Sequence, residues 1–474
     1  METRPAPAAA VTRAAAALIA TLFLLAPALW NGFPLLFFDS GSYLARPFDG
    51  SLSPGRSMVY GLVLAGGSFA NFWPVVIVQA ALSVWVIALV LRAHGLGGRP
   101  LLLVTLTAVL AAATSLPWLA GQLMPDLFSG LAVLALYLLL FRAAALGRRE
   151  KIGLVALIAV AGASHNATLI VLAGLVLAAA LFCFVRAELV ARAGIVQGAG
   201  ALLLGAALLL AANVTVGKEF AWTPGGTSFL FSRLVQDGIV ARWLTDHCPD
   251  KHFKLCNFRK TLPQNGDDFL WHGNEKSPFA QIGYFWDKRG EMAAITVDSL
   301  RLYPGMHAAT ALRSSALQLV KVGTGDGIVY NVWGAYGEIE RLTPQAVPAA
   351  YAARQRSEPV VDFAQLNLLH VPLAWLSMAL IPLWLFFAFR RRELEPLGAL
   401  AATVGLALLG NALVCGVFSG PHDRYGARLV WMAPFLLVIA LAYLAPLLQW
   451  LPRPALRPVP VRPEINPVEA GRGA

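Results

Sequence analysis

Ten predominantly apolar stretches recur along this chain, most of them close to the about 20 residues that a helix needs to cross a hydrocarbon core of about 30 Å. They run at 12–31, 73–92, 100–117, 125–142, 152–164, 168–186, 193–213, 366–389, 396–418 and 429–451. The fifth is short and stops at Ser164-His165-Asn166, so it reads either as a full crossing or as half of a tight hairpin. Composition agrees: 58% of the 474 residues are hydrophobic and 13% charged, against roughly 45–50% and about 25% in soluble domains. Such a chain has too little polar surface to cover its apolar mass in water. The expected fold class is an all-α polytopic membrane protein of about ten transmembrane helices. A disordered chain and a disulfide scaffold, with only four cysteines, are excluded.

Sidedness follows from the short loops, because Lys and Arg are retained in the cytoplasm. Arg4 and Arg13 precede the first stretch, Arg92 and Arg99 follow the second, and Arg142, Arg148, Arg149 and Lys151 follow the fourth. Arg186 and Arg192 follow the sixth, Arg390 to Arg392 the eighth, and Arg453, Arg457 and Arg462 lie beyond the last. Both termini are therefore expected in the cytoplasm, with the chain multi-pass in a plasma (inner) membrane. On that topology nearly all of the net charge of +11 is cytoplasmic. It is explained by orientation and by anionic membrane lipids, and nucleic acid is not an expected partner. The first stretch also reads as a cleavable leader, since Ala26-Pro27-Ala28 imitates a cleavage site.

The expected organisation is an N-terminal transmembrane module with the first outer loop (1–213), an extracytoplasmic domain between spans seven and eight (214–364), C-terminal transmembrane helices (365–452) and a cytoplasmic Pro/Arg-rich tail (453–474). A polar connection of about 150 residues is too long to be a structureless loop. Cys248 and Cys256, eight apart within it, read as a disulfide in an oxidising compartment. Zinc is the rival, with His247 and His252 nearby, but the spacing fits no standard four-ligand pattern. Residues 292–322 have helical apolar periodicity, which suits either a packed amphipathic helix or one lying on a membrane surface.

Four polar places at span boundaries are candidates for chemistry, because charge in or beside a span is costly. Asp39, in Phe37-Phe38-Asp39-Ser40-Gly41, follows the first span and could equally cap a helix. Asp126, in Met124-Pro125-Asp126, opens the fourth span and could complement its dipole. Both fall on the same expected boundary, where paired carboxylates can share proton acceptance and positioning or hold a divalent cation. Gly420-Pro421-His422-Asp423-Arg424-Tyr425-Gly426-Ala427-Arg428 packs His, Asp, Tyr and two Arg into one short turn. Arginine grips phosphate through planar multidentate hydrogen bonds, although Arg and Tyr also anchor spans at the headgroups. The fourth place is Ser164-His165-Asn166, a polar break that could line a cavity. No P-loop, Rossmann fingerprint, His-Glu-x-x-His or Gly-x-Ser-x-Gly is present. Gly323-Thr324-Gly325-Asp326-Gly327 matches no phosphate-binding pattern and reads as a loop.

The order of these features resembles the GT-C superfamily of polytopic glycosyltransferases. Asp39-Ser40-x-x-Tyr43-Leu44 is followed by Pro54-Gly55-Arg56-Ser57-Met58-Val59-Tyr60-Gly61, Gln79, Pro125-Asp126-Leu127-Phe128, Ser164-His165-Asn166 and Arg424-Tyr425. The likeness covers roughly 12–213 and 396–450 and leaves the 214–364 segment unplaced. It implies a bacterial cell-envelope enzyme, inverting in stereochemistry, that takes sugar from a polyprenyl-phosphate donor at the periplasmic face and passes it to a lipid or envelope-glycan acceptor. It implies Asp39 as the base that activates the acceptor and Asp126 as a supporting or metal-positioning acid. Arg424 and Tyr425 then bind the lipid phosphate, with Tyr43, Arg56, His165, His422 and Arg428 as further substrate-binding candidates. Ser40 stands where many members carry a second acid, which leaves a divalent-cation cofactor open. Two other readings stand beside it: a lipid-linked glycan ligase or polymerase relying on Arg and His, and a non-catalytic transporter or scaffold.

Overall fold

Runs of Ala, Leu and Val such as those at 12–31 and 193–213 become helices because, away from water, each backbone amide must find its partner within its own segment. The computed structural model describes residues 7–49, 54–216, 220–223, 225–248, 252–271, 273–287, 290–357 and 361–448; the tail at 453–474 lies outside the described residues. The N-terminal half comprises α1 (Pro7–Asn31), α2 (Ser40–Asp49), α3 (Met58–Gly67), α4 (Trp73–Ala93), α5 (Pro100–Ala113), α6 (Leu116–Ala120), α7 (Asp126–Phe141), α8 (Arg148–Ser164), α9 (Asn166–Val185) and α10 (Arg192–Thr215). Next come α11 (Gly226–Gln236), α12 (Ile239–His247), α13 (Gly266–Trp271), α14 (Pro278–Ile282), α15 (Glu291–Leu302), α16 (Pro304–Val320), α17 (Trp333–Leu342), α18 (Val347–Tyr351) and α19 (Arg354–Ser357). The chain closes with α20 (Phe363–Ala379), α21 (Ile381–Arg390), α22 (Glu395–Phe418), α23 (Asp423–Val430) and α24 (Met432–Leu448). No strand occurs among the described residues; a single bridge joins Leu35 to Gln122.

Among the described residues, seven helical stretches are long and apolar enough to cross a membrane: Val11–Asn31, Trp73–Ala93, Asn166–Val185, Arg192–Thr215, Phe363–Arg390, Arg392–Phe418 and Asp423–Tyr443. The other three of the ten expected spans form shorter helices. The 100–117 stretch breaks where the Thr114 hydroxyl donates back to the Leu110 carbonyl at 2.6 Å and accepts from the Leu116 amide at 3.2 Å. The 125–142 stretch is α7, only 16 residues long. Every residue from Asp126 to Leu140 is buried, so α7 is sheathed by protein and its length need not match a bilayer. The 152–164 stretch lies in α8, which ends at Ser164.

α7 is the axis of the bundle. α10 crosses it at Gly194, where a Cβ would collide with the Leu139 carbonyl, the close backbone approach that small residues allow between apolar helices. α1 packs against α4 and α5, with Ala20, Leu24 and Ala28 fully buried. Arginines that follow spans gather at one end. There Arg92 Nη1 donates to Glu150 Oε1 at 2.8 Å, Arg186 lies 3.2 Å from Glu395, and Arg142 Nε donates to the Ala93 carbonyl at 3.0 Å. The end of α1 and the starts of α7, α9 and α23 meet at the other.

The 214–364 segment divides into two parts. α11 to α15 enclose a separate core of Phe231, Trp243, Phe269, Phe279 and Ile295, stapled by the Cys248–Cys256 disulfide with Cα atoms 5.3 Å apart. The disulfide decides against zinc at these cysteines. From α16 onward the segment is woven into the bundle: α16 packs along α22 and α17 along α2. The 292–322 stretch is therefore two helices, α15 and α16, broken at Tyr303-Pro304. Gln355, fully buried, accepts from the Leu36 amide at 2.9 Å and donates to its carbonyl at 2.7 Å, tying α19 to the turn after α1.

Candidate functional site

The turn after α1 exposes a carboxylate to the bundle interior. Ser40 makes the local contacts there, accepting from the Phe37 amide at 2.9 Å and donating to the Leu123 carbonyl at 3.0 Å. The Asp39 carboxylate is thus directed inward, 9% exposed. Its Oδ1 ion-pairs with Arg56 Nη2 and its Oδ2 accepts from Arg424 Nη1 at 3.2 Å. Burial by itself would raise this carboxyl, but the Arg56 and Arg424 charges overcome that effect and hold it below the usual carboxylate value.

Arg424 is positioned by its rings and its backbone. The guanidinium carbon lies 4.5 Å from the Phe37 ring centre and 4.9 Å from that of Tyr425, a cation–π sandwich of about 0.5–2 kcal/mol per ring. Its amide donates to Asp326 Oδ2 at 3.0 Å. α23 can approach this closely because of Gly426, where a Cβ would collide with the Lys321 carbonyl. Arg56 is set by the start of α3: the Ser57 hydroxyl accepts from the Val59 amide at 3.1 Å and donates to the Ala163 carbonyl at 2.6 Å, clamping α3 to the end of α8.

Asp126 occupies the first turn of α7, 4% exposed. The N-cap position is Pro125, which makes no side-chain capping bond. Asp126 Oδ1 has no hydrogen-bond partner and lies 3.9 Å from Arg428 Nη1. The turn leading to it hangs on Gln79, whose amide donates to the Ala120 and Gln122 carbonyls at 3.1 and 2.9 Å and accepts from Tyr60 Oη at 2.9 Å. Tyr43 stacks edge-on against Tyr60 at 5.3 Å. Burial pushes its hydroxyl pKa up, with Arg56, Asp39, Asp126 and Arg424 all within electrostatic reach.

Among the expected site residues, Asp39, Tyr43, Arg56, Asp126, Arg424 and Tyr425 converge. Arg428 is adjacent but committed elsewhere. It is fully buried, donates to Asn411 Oδ1 at 2.6 and 3.1 Å, and holds His165 at 3.2 Å. Arg428 meets the site at Asp126, 3.9 Å away, and His165 acts on it through Arg428. His422 stands apart at the rim, 3.3 Å from Asp267 and 4.0 Å from Asp326. The set holds three guanidiniums, the half-buried Arg56 and Arg424 and the fully buried Arg428, against two carboxylates, Asp39 and Asp126. Among the described residues no three His, Cys, Asp or Glu side chains come together as a metal site; arginines take the positions beside both carboxylates that a cation would need.

Sequence reasoning passed over Phe37, Trp118, Gln122 and Asp326. With Asp126 and Arg424 they line a cavity of about 30 Å³. The Gly323–Gly327 segment, read as a plain loop, is its roof. The available signal was an acid between two glycines, Gly325 and Gly327, which adopt φ of +95° and +79°. No family model, curated protein or solved structure gives a significant match to the chain.

Proposed function

We propose that this chain is a membrane glycosyltransferase that moves a sugar from a polyprenyl-phosphate donor to a hydroxyl of a lipid or envelope glycan at the extracytoplasmic face. The observation that carries the reading is the buried Asp39–Arg424 pair, which sets a proton acceptor beside an anion-binding guanidinium at one end of an apolar bundle. Ten crossings, with α5, α7 and α8 counted beside the seven long stretches, and cytoplasmic termini complete the proposal. The arginine-rich end of the bundle then faces the cytoplasm, and the site faces away from it.

The acceptor oxygen attacks the anomeric carbon, its proton passes to Asp39, and the bond from that carbon to the phosphate oxygen breaks. The bonding pair leaves with the phosphate, where Arg424 and Arg56 stabilise the growing charge. While both arginines hold Asp39 it is a weak base. A donor phosphate competes for those guanidiniums, and as they turn toward it a carboxylate oxygen is freed for the acceptor. The resemblance supports inversion at the anomeric carbon.

The test is transfer by the purified protein in liposomes, using radiolabelled polyprenyl-phospho-glucose, -mannose and -galactose with envelope lipid and glycan extract as acceptor. Label should leave the donor with release of polyprenyl phosphate, and both should cease in Asp39→Asn. Undiminished transfer by that variant would sink the assignment.

A further inference from the structure

We propose that the cavity beside Asp126 is the subsite for the donor's sugar ring, and that Asp126 and Gln122 read its hydroxyls. This rests on the donor reading above and changes the part given to Asp126, from a supporting acid or metal ligand to the residue that recognises the sugar.

Three buried polar atoms around this cavity have no hydrogen-bond partner in the protein: Asp126 Oδ1, Gln122 Nε2 and Arg424 Nε. Asp126 and Gln122 are 4% and 5% exposed. A buried polar atom left unpaired costs about 1–3 kcal/mol, and three around one cavity is an arrangement that a polar ligand would relieve. The chemistry of the three is specific. A carboxylate oxygen accepts from hydroxyls, while the amide and guanidinium nitrogens donate to them. Phe37, Trp118, Leu119 and Ile328 give the wall its apolar part, and Ser115, Thr324 and Asp326 add further polar groups. Placed polar groups interleaved with aromatic and aliphatic side chains suit a ligand with hydroxyls on its edge and C–H groups on its faces, which describes a pyranose. Arg424 belongs to both this cavity and the Asp39 pair, so a sugar lying here has its phosphate beside Arg424 and its anomeric carbon toward Asp39.

The cavity is smaller than a hexose in this closed form, so the proposal requires its roof to lift. Gly325 and Gly327 carry the loop's two left-handed turns, and a Cβ on either would collide with Phe363 or Phe37 respectively. The roof is held by polar contacts: the Thr324 hydroxyl with His370 Nδ1 at 2.9 Å, the Thr324 amide to Asn367 Oδ1 at 2.8 Å, and Asp326 with the Arg424 amide.

The experiment measures binding to the full-length protein in detergent with farnesyl phosphate and with its glucosyl, mannosyl and galactosyl derivatives. Wild type should bind at least one sugar derivative tenfold or more tighter than farnesyl phosphate. Asp126→Asn should lose most of that increment while keeping its affinity for farnesyl phosphate. Gln122→Leu, which leaves the Gln122 carbonyl bond to Gln79 in place, guards against misfolding of the first variant and should show the same selective loss. An increment that survives in both variants, or no increment in wild type, overturns the sugar subsite. Failure to bind farnesyl phosphate at all overturns the donor reading itself.

Discussion

Arg424 Nη1 donates to Asp39 Oδ2 at 3.2 Å, joining the turn after the first helix to the start of α23 across 385 positions of chain. Arg56 holds the other oxygen from 17 positions away. Neither arginine can be removed without leaving a carboxylate in low dielectric with one partner fewer. Loss of one member of a fully buried pair costs about 3–5 kcal/mol, and these half-buried arginines set that as an upper bound. Asp39→Asn and Arg424→Ala should each lower the melting temperature in detergent, and the double variant should lose less than the sum of the two. Strict additivity would show that the pair is not coupled.

Catalysis should separate charge from shape at Arg424. Removing an electrostatic stabiliser of the transition state costs about 10²–10³ in rate, and that loss is expected of Arg424→Ala in the transfer assay. Arg424→Lys keeps the charge but not the planar fork held between Phe37 and Tyr425, so it should recover only part of the rate. Equal activity of the lysine variant and wild type would contradict the sandwich as a positioning device.

The pH dependence has a definite sign. Asp39 is depressed below its ordinary 3.8 in the folded protein. Its contribution to stability is therefore fully present above that unfolded value and fades as pH falls through the folded one. The gap in melting temperature between wild type and Asp39→Asn should stay constant above about pH 5 and shrink only below about pH 4. A gap that closes between pH 5 and 7 would mean that Asp39 is not the ionised partner of the arginines.

Much of this arrangement was legible in the sequence, and what was not has physical causes. The apolar runs and the arginine-bearing loops mark the helices and the two ends of the bundle, because burial in an apolar solvent leaves a compositional trace. Asp39, Asp126 and Arg424 stand out as charges at the edges of apolar runs. The count of long helices did not carry over, since α7 is apolar all round for the reason that protein surrounds it, and composition cannot distinguish protein from lipid as a neighbour. The division of the 214–364 segment was hidden for a related reason. α16 looks like any amphipathic helix until α22 is laid against it, with Gly416 on the Ser314 backbone. Arg428 and His422 look alike in one short turn, but Asn411, 17 positions back on α22, takes the first, and Asp267, remote in sequence, takes the second.

Sidedness is checked by labelling. Glu275 and Arg149 are both exposed, one in the 214–364 segment and the other at the arginine-rich end. In intact cells a membrane-impermeant maleimide should label Glu275→Cys, and label Arg149→Cys only after permeabilisation. The reverse pattern would place the site in the cytoplasm.

The Cys248–Cys256 bond closes a short loop beside the Trp243 and Phe269 core. A cross-link over so few residues contributes roughly 2–3 kcal/mol. Replacing both cysteines with serine should make the α11–α15 region more open to limited proteolysis while leaving the bundle helices protected. Equal sensitivity of both regions would show that they unfold as one unit.

The most direct measurement is a structure of the protein bound to polyprenyl phosphate. The account predicts the phosphate within hydrogen-bonding distance of Arg424 and Arg56, with at least one Asp39 oxygen released from its guanidinium and the prenyl chain against the apolar bundle. A bound lipid whose phosphate lies elsewhere, with the Asp39–Arg424 pair still closed, would contradict it.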